Sequence, residues 1–408
     1  MDLTTYLQND LITDNTKELD NKKLFLKTHQ NEKYAENIKN FITPKELLNS
    51  LNLHTKFIGI TGTNGKTTTA FVLSFILKEL GFSVATQGTE GFFFNGETIE
   101  SKTLTTPAIF TTIKRAFKYK PDFFIMEVSS HAIVQQRVEG IDFYAKIMTS
   151  FSQDHLDFHK SMEEYKRVKE SFFQDEAIKV INGKWKMESG KWKIINIGGY
   201  DFKINKKNLS ILEKPIVNDI PMAGEFNKMN FSLAVKLSEI ISKQFNITWN
   251  LELGTWNAFK GVRGRMEIVS KNPLIIVDFA HTPDGIENVL KSVKGKKIVV
   301  FGAGGNRDRE KRALMGKAAS KNSDFIILTN DNPRCEDENQ ILEDIEKGFV
   351  HQNYLIIPNR KKAIKNGIEL AIEKKAALLV LGKGDEKYIE KCNEKIAFND
   401  KKTILSLL

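Results

Sequence analysis

Lys66 and Thr67 close a run, Thr61-Gly-Thr-Asn-Gly-Lys-Thr67, whose residue types and spacing suit phosphate chemistry. Gly62 and Gly65 place no Cβ between the backbone and a phosphate oxygen, so main-chain N–H groups can turn inward. Thr63 and Asn64 complete the turn, and Thr68 enters the helical segment behind it. The positive end of that helix adds to the pull on an anion. Lys66 would reach the β- and γ-phosphates of a nucleoside triphosphate, and the Thr67 hydroxyl its Mg²⁺. One position departs from the general G-x-x-x-x-G-K-[ST] pattern: Ile60 stands where the first glycine falls. The apolar run 57–60 and the helical segment 67–80 supply the flanking strand and helix that distinguish such a loop from an ordinary corner.

A second group of residues could hold metal. Glu127 ends an apolar run, and a carboxylate leaving a sheet beside a phosphate loop commonly holds the nucleotide's Mg²⁺ or its water. His155 lies in Ser152-Gln-Asp-His-Leu-Asp157. Histidine is a poor Mg²⁺ ligand, so alone it is more often a hydrogen-bonded structural residue. Asp154 and Asp157 are alternative oxygen ligands, and His131 and His159 are further candidates. In the segment 161–173, Ser161 and Glu164 make a capping box. At about 100° per residue, Met162, Tyr165, Val168 and Phe172 then share an apolar arc, and Lys169 falls inside it. Such a lysine either snorkels its ammonium to water or stays dry, where the neutral amine becomes reactive. A reactive amine takes up CO₂ to give a carbamate, an anion able to ligate a metal.

The elements that must position these groups follow from composition and periodicity. At 408 residues the chain exceeds one ordinary core, and two or three domains are expected. Hydrophobic residues make up 41%, enough for globular domains. Lys+Arg of 61 against Asp+Glu of 51 leaves a net charge of +10, which suits anionic ligands. The lysines are scattered, with no dense basic block and no aromatic-interleaved basic stretch, so nucleic acid is not the expected partner. Cys335 and Cys392 lie outside any C-x-x-C, which argues against a disulfide framework or zinc site. The first residues show no basic n-region or apolar h-region, and no apolar stretch approaches the roughly 20 residues of a membrane span. A cytoplasmic chain without membrane insertion is expected.

Residues 1–50 are polar and read as a small α/β module, a grip on one end of a substrate or a structural cap. From 55 to about 262, strands at 57–60, 123–128 and 146–150 alternate with helices at 67–80, 108–118, 161–174 and 230–245. From 265 onward, strands at 274–277, 298–301, 325–328, 354–357 and 377–381 alternate with further helices. This alternation predicts α/β architecture with mainly parallel sheets. Ligands in such sheets bind beyond the carboxyl ends of the strands. The polar runs fall there: Glu127-Val-Ser-Ser-His131, Asp278-Phe-Ala-His-Thr-Pro283, Asp331-Asn-Pro-Arg334 and Gly382-Lys-Gly-Asp-Glu386. Gly302-Ala-Gly-Gly-Asn-Arg307 imitates a dinucleotide fingerprint, but Arg307 occupies the third glycine's place, so no nicotinamide or flavin is expected.

Together with Arg263-Gly-Arg-Met-Glu267, Ala280-His-Thr-Pro-Asp284 and Gly382-Lys-Gly384, these motifs resemble the Mur ligase family, the ATP-dependent amino-acid ligases of peptidoglycan precursor synthesis. The likeness runs from about Thr55 to the C-terminus, with the motifs in the family's order. It implies three domains: an N-terminal UDP-substrate module (1–50), a central P-loop ATPase (51–264) and a Rossmann-like amino-acid-binding domain (265–408). It implies Lys66, Glu127, His155 and Lys169 as the catalytic group. Thr67 and Glu127 would hold one Mg²⁺; His155 and Lys169, as its carbamate, would hold a second. Asn230 resembles the adenine contact and Asp278 the ribose contact. Thr105, Thr106, Ser129, Gln135 and Arg137 resemble the residues that bind the nucleotide-sugar dipeptide, with Asn15 where a serine is usual. Arg307, Asp331, Asn332, Pro333, Arg334, Gly382 and Glu386 resemble the amino-acid pocket, and Asp331-Asn-Pro-Arg334 looks like the signature of members that add meso-diaminopimelate.

The resemblance implies ATP, UDP-N-acetylmuramoyl-dipeptide and meso-diaminopimelate as small-molecule substrates, and a monomer. The physics of the pocket agrees: Arg334 can take the second carboxylate of diaminopimelate as a bidentate fork, and Asp331 and Glu386 an ammonium. Two departures stand out. The N-terminal region is short for the family, and Asp385 replaces the histidine of Gly-Lys-Gly-His-Glu. The rival expectations are a lysine-adding Mur ligase, a folylpolyglutamate synthase and, from another class, a nucleic-acid-associated P-loop ATPase.

Overall fold

The computed structural model describes residues 2–248, 255–392 and 394–408. The chain divides into two compact units. The first comprises Met1–Phe151, Glu163–Val217 and Met229–Leu251; the second comprises Ser152–Met162, Asn218–Lys228 and Glu252–Leu408. Among the described residues, no helix is long and apolar enough to cross a membrane.

An eight-stranded sheet forms the first unit, in the order Leu209–Leu212, Ile178–Asn182, Phe143–Met148, Lys56–Thr61, Phe123–Glu127, Val84–Gly88, Gly91–Phe94, Glu97–Ser101. All neighbours pair in parallel except the last two strands, which fold back antiparallel. Every residue of Phe123–Glu127 is buried, and so is Phe57 to Thr61. Strands covered on both faces read as continuous apolar runs rather than alternation, which is why they were legible in the sequence. The chain leaves Lys56–Thr61 toward one side of the sheet and later returns to its other side, so the strand order reverses there. That reversal opens a crevice beyond the carboxyl ends. Helix Lys66–Glu79 buries Val72, Leu73, Ile76 and Leu77. It stops at Gly81, whose φ of +89° lets the Gly81 N–H bond Lys78 O at 2.9 Å and the Phe82 N–H bond Leu77 O at 3.1 Å.

Some expectations shift. The strand expected at 146–150 spans Phe143–Met148, so residues 149–151 form the loop beyond it. The helix expected at 230–245 begins earlier, at Glu225. A three-stranded antiparallel meander, Lys184–Ser189, Trp192–Ile197 and Tyr200–Asn205, escaped the βα reading altogether. Its first strand is wholly exposed, Trp185 and Met187 included, while the other two bury Ile195, Ile197, Phe202 and Ile204. The N-terminal region carries its own small parallel sheet of Ile12–Thr13, Leu24–Leu26 and Phe41–Ile42.

The second unit is built on a six-stranded sheet ordered Glu267–Lys271, Leu274–Asp278, Ala377–Leu381, Lys297–Phe301, Phe325–Leu328, Tyr354–Ile356, parallel but for its first strand. Val277, Val300, Ile327, Leu378 and Val380 pack with Ile364 and Ile368 of helix Arg360–Lys374 and with Ile404. Arg360 and Asp400 are buried at this helix's start, paired through Nε–Oδ1 at 2.8 Å and Nη2–Oδ2 at 2.7 Å. Arg360 Nη2 also donates to Leu381 O at 2.8 Å, tying the helix to the strand end that precedes Gly382. Arg360→Met leaves the Asp400 carboxylate buried without its partner. A destabilisation of about 3–5 kcal/mol is expected, read as a lower urea midpoint; an unchanged midpoint would contradict it.

Candidate active site

The phosphate loop joins Lys56–Thr61 to helix Lys66–Glu79 as the motif predicts. Gly62 (φ +146°) and Gly65 (φ +88°) adopt backbone conformations that strain other residues. A Cβ on Gly62 would lie 1.9 Å from Thr149 Oγ1, and one on Gly65 would lie 2.3 Å from Asn230 Oδ1. The loop is strapped to the end of its neighbouring strand. Thr63 N–H donates to Ser150 O at 3.0 Å, Asn64 N–H to Ser150 Oγ at 2.9 Å, and Thr149 Oγ1 to Asn64 O at 2.6 Å. Lys66 Nζ arches over the loop and donates to Gly62 O at 2.8 Å and Thr63 O at 2.9 Å. Thr67 and Thr68 are buried in the helix's first turn.

Glu127 is buried at the next strand's end and collects hydroxyls. Its Oε1 accepts from Thr67 Oγ1 at 3.0 Å and from Thr89 N–H at 3.1 Å, and its Oε2 from Thr89 Oγ1 at 3.2 Å. A Cβ on Gly88 would come within 2.1 Å of Oε1. These are hard oxygen donors beside a phosphate cradle, and Mg²⁺ favours one or two carboxylates completed by substrate phosphates. The residues therefore fit a nucleotide-borne Mg²⁺. Among the described residues, no group of three or more His, Cys, Asp or Glu side chains forms a cage of its own. Gly88→Ala would push the Glu127 carboxylate off Thr67. We expect at least a tenfold rise in the Mg²⁺ concentration needed for half-maximal turnover, the scale of losing a supporting contact at a metal site; an unaltered Mg²⁺ titration would refute this.

The predicted dipeptide-binding residues cluster around the same strand end. Thr106 Oγ1 donates to Glu127 O at 2.9 Å and accepts from Ser129 N–H at 3.0 Å. Arg137 Nη1 donates to Thr106 O at 2.9 Å, and Thr105 Oγ1 lies 2.9 Å from Thr89 Oγ1. Arg137 Nε and Gln135 Oε1 are buried with no hydrogen-bond partner, and burial lowers the Arg137 guanidinium below its ordinary range. Orphaned buried polar atoms are costly, which fits groups kept for a polar ligand. Asn15 is exposed, its side chain capping the turn Thr16–Glu18 through Lys17 N–H at 3.1 Å.

Lys169 is 1% exposed in helix Met162–Ser171, as the helical count predicts. Its Nζ donates to Thr61 Oγ1 at 3.2 Å and lies 4.9 Å from the Tyr165 ring centre. The Tyr165 hydroxyl in turn sits 3.1 Å from Thr63 Oγ1, so the lysine's helix is keyed to the phosphate loop.

The other predicted residues lie in the second unit. His155 (φ +58°) precedes the short helix Leu156–His159. Beside it Asp154 is buried, accepting from the His155 N–H at 3.0 Å and from Lys311 Nζ at 2.9 Å. His155 Nε2 lies 3.4 Å and His281 Nε2 3.9 Å from Asp154 Oδ2. Burial alone would raise the Asp154 carboxyl, but the charges of His155, Lys311 and His281 hold it well below the usual carboxylate range. Asp154 thus serves as an anionic hub that orients His155. Asp278 ends its strand and accepts from Met266 N–H and Ala280 N–H, both at 2.7 Å; burial raises its carboxyl, partly offset by Arg265.

The loop Asp331-Asn-Pro-Arg334 follows strand Phe325–Leu328 and packs on the glycine run. A Cβ on Gly302 would lie 2.1 Å from Thr329 O, one on Gly305 1.9 Å from Pro333 O, and one on Gly304 2.9 Å from Arg334 Nη1. The glycines that imitate a dinucleotide fingerprint therefore make room for this loop. Arg334 (φ +52°) donates through Nη1 to Gly305 O at 2.8 Å and pairs through Nε with Glu390 Oε2 at 3.1 Å. Desolvation and then the Arg334 charge lower the Arg307 guanidinium, which places two cations side by side. Asn332 has an internal role: Oδ1 accepts from Lys383 Nζ and from Glu390 N–H, each at 2.9 Å, and Nδ2 donates to Glu386 Oε2 at 2.8 Å. Lys383 is buried and donates to Glu386 Oε2 at 2.7 Å. Asp331 Oδ2 would meet a Cβ on Gly382 at 2.6 Å. Asp385 Oδ1 accepts from Asn399 Nδ2 at 3.4 Å, and the same amide donates to Glu386 O at 3.0 Å, so Asn399 braces the segment where the family's histidine is replaced.

Several supporting residues were not singled out by sequence. Thr89, Lys311 and Arg360 sit in no recognisable motif. His281 and Lys383 are signalled only by the motifs that contain them, Ala280-His-Thr-Pro-Asp284 and Gly382-Lys-Gly384.

The Mur ligase middle domain matches residues 60–238, and the Mur ligase glutamate ligase domain matches residues 264–384. The UDP-N-acetylmuramoyl-L-alanyl-D-glutamate--2,6-diaminopimelate ligase of Wolinella succinogenes is 40% identical over 422 aligned residues, covering 98% of this chain and 96% of that protein. A solved structure of a ligase of the same name superposes with a TM-score of 0.56 at 24% identity, covering 97% of this chain and 94% of that one. A folylpolyglutamate synthase of Mycobacterium tuberculosis, complexed with ADP, reaches 0.62 at 14% identity, covering 83% and 90%. The structural likenesses establish a shared fold; with the domain matches and the full-length identity, they establish that this chain belongs to the Mur ligase family.

Proposed function

We propose that this chain is the Mur ligase that joins meso-diaminopimelate to the D-glutamate γ-carboxylate of UDP-N-acetylmuramoyl-L-alanyl-D-glutamate, converting ATP to ADP and phosphate in peptidoglycan precursor synthesis. The observation that carries the reading is Arg334, set beside Arg307 on glycines that admit its guanidinium. The names of the full-length relatives support the same substrate. Division of labour follows residues 1–50 for the UDP end, 51–264 for ATP and 265–408 for the amino acid, in a cytoplasmic monomer.

The γ-carboxylate attacks the γ-phosphate of ATP, giving an acyl phosphate and ADP. Lys66 neutralises charge developing on the transferred group, and the loop amides hold the remaining phosphate oxygens. Mg²⁺ supplies further charge neutralisation when bound; Thr67 and Glu127 would hold one ion, His155 and carbamylated Lys169 the second. Thr105, Thr106, Ser129, Gln135 and Arg137 fix the dipeptide, and Asn15 lies toward the uridine. Asn230 and Asp278 take adenine and ribose. Arg334 and Arg307 take the distal carboxylate of diaminopimelate, while Asp331 and Glu386 take its distal ammonium. Asn332, Pro333 and Gly382 shape the pocket. The other amine attacks the acyl phosphate, an amide bond forms, and phosphate leaves with its electron pair.

Phosphate release from ATP, measured with the UDP-dipeptide plus meso-diaminopimelate or L-lysine, tests this. Release requiring diaminopimelate is expected. Release only with lysine would keep the family and overturn the pocket; release only with a folate and glutamate would point to the folylpolyglutamate reaction. Arg334→Ala is expected to raise KM for diaminopimelate by roughly a hundredfold, the cost of a lost bidentate charge pair, and to leave KM for ATP in place. An equal rise in both would show that Arg334 serves the fold instead.

A further inference from the structure

Cys335 and Cys392 are far apart in sequence, yet the fold sets them side by side. Arg334 and Lys391 form a parallel bridge. Arg334 N–H donates to Glu390 O at 3.0 Å, and Cys392 N–H donates to Arg334 O at 2.9 Å. The next residue on each segment is a cysteine. Bridged positions lie about 4.8 Å apart, so the cysteines that follow the bridge start close to the roughly 4.4–6.8 Å between Cα atoms that a disulfide spans. The Cys392 side chain pushes the Cys335 thiol above its ordinary value, as expected of neighbouring thiols. Both residues are exposed, so a solution oxidant has access.

We propose that Cys335 and Cys392 form a reversible disulfide that pins the Tyr388–Lys391 strand against the Arg334 loop and weakens binding of the amino-acid substrate. Hydrogen peroxide suffices as oxidant. One thiolate attacks a peroxide oxygen, giving a sulfenic acid and water once the leaving hydroxide is protonated. The second sulfur then displaces the sulfenic oxygen as a second water and forms the S–S bond. A dithiol reverses this by exchange. Disulfides in reducing compartments are typically transient and redox-sensing, which suits an exposed pair.

The consequence follows from Glu390, which pairs with Arg334 Nε at 3.1 Å and competes for the guanidinium with a substrate carboxylate. A cross-link one residue beyond the bridge holds that competitor in place. This consequence rests on the proposed role of Arg334; the cross-link itself does not.

The full chain would be treated with hydrogen peroxide, then analysed by thiol alkylation, peptide mapping and steady-state kinetics. Expected are loss of both thiols, a peptide joining Cys335 to Cys392, and a KM for diaminopimelate raised roughly tenfold, the scale of one charge-assisted hydrogen bond. KM for ATP should hold, dithiothreitol should restore the starting values, and in Cys335→Ser peroxide should leave KM for diaminopimelate unmoved. Thiols that still alkylate, sulfinic acids without a joined peptide, or a joined peptide with unmoved KM would each overturn the proposal. Untreated protein that releases no phosphate with diaminopimelate would instead overturn the proposed function, and with it the effect on binding; the peptide map would still decide the cross-link.

Discussion

Lys66→Met is expected to lower kcat/KM for phosphate release by about 10³-fold, or roughly 4 kcal/mol of transition-state stabilisation. Methionine keeps the length and apolar stem and removes the charge. In the structure the ammonium bonds Gly62 O and Thr63 O, so it already lies across the mouth of the loop. Those two contacts also brace the loop, and their loss should cost stability on the order of 1 kcal/mol. A large kinetic effect with a small shift in unfolding midpoint is the expected signature. Turnover within tenfold of the unmodified chain would show that the charge has no part in the transfer.

Lys169→Ala is expected to reduce turnover to a similar degree, with partial recovery in millimolar acetate or propionate. The side chain is 1% exposed and meets Thr61 Oγ1 and the Tyr165 ring. An ammonium there is stripped of water, a condition that in general favours the neutral amine and its reaction with CO₂. In that reaction the amine nitrogen bonds carbon, a proton is released, and an anion with two oxygens results. A short carboxylate diffusing into the alanine variant would replace those oxygens. An independent readout is the carbamate carbon in NMR of protein equilibrated with ¹³C-bicarbonate, present with Lys169 and absent without it. Full activity in the alanine variant would remove Lys169 from the mechanism; loss of activity without the carbon signal would leave it a packing residue.

The two substitutions bear on groups that differ in how visible they are in a sequence. Lys66 belongs to a contiguous motif whose flanking strand and helix are set by a handful of neighbouring residues. Lys169 was visible only through helical periodicity, as a lysine on an apolar arc, and its burial agrees with that count. Periodicity left a snorkelling ammonium and a reactive amine both open; preference for the carbamate rests on the resemblance, because one helix does not reveal what faces it.

Local physics therefore determined a good deal. Apolar runs located the buried strands at Lys56–Thr61, Phe123–Glu127 and Phe143–Met148 but not the parallel strands Val84–Gly88, Ile178–Asn182 and Leu209–Leu212, and glycines located the phosphate turn. The meander was missed although two of its strands bury Ile195, Ile197, Phe202 and Ile204; only its first strand lacks a buried face. Only the tertiary structure decided which groups meet across long stretches of chain. Asp154 finds Lys311, Glu127 finds Thr89, Asn332 finds Lys383 and Glu386, and Cys335 finds Cys392. The reason is geometric. Periodicity reports which face of an element is buried, whereas strand order and crossover connections fix which other element covers that face, and no short window of sequence contains them.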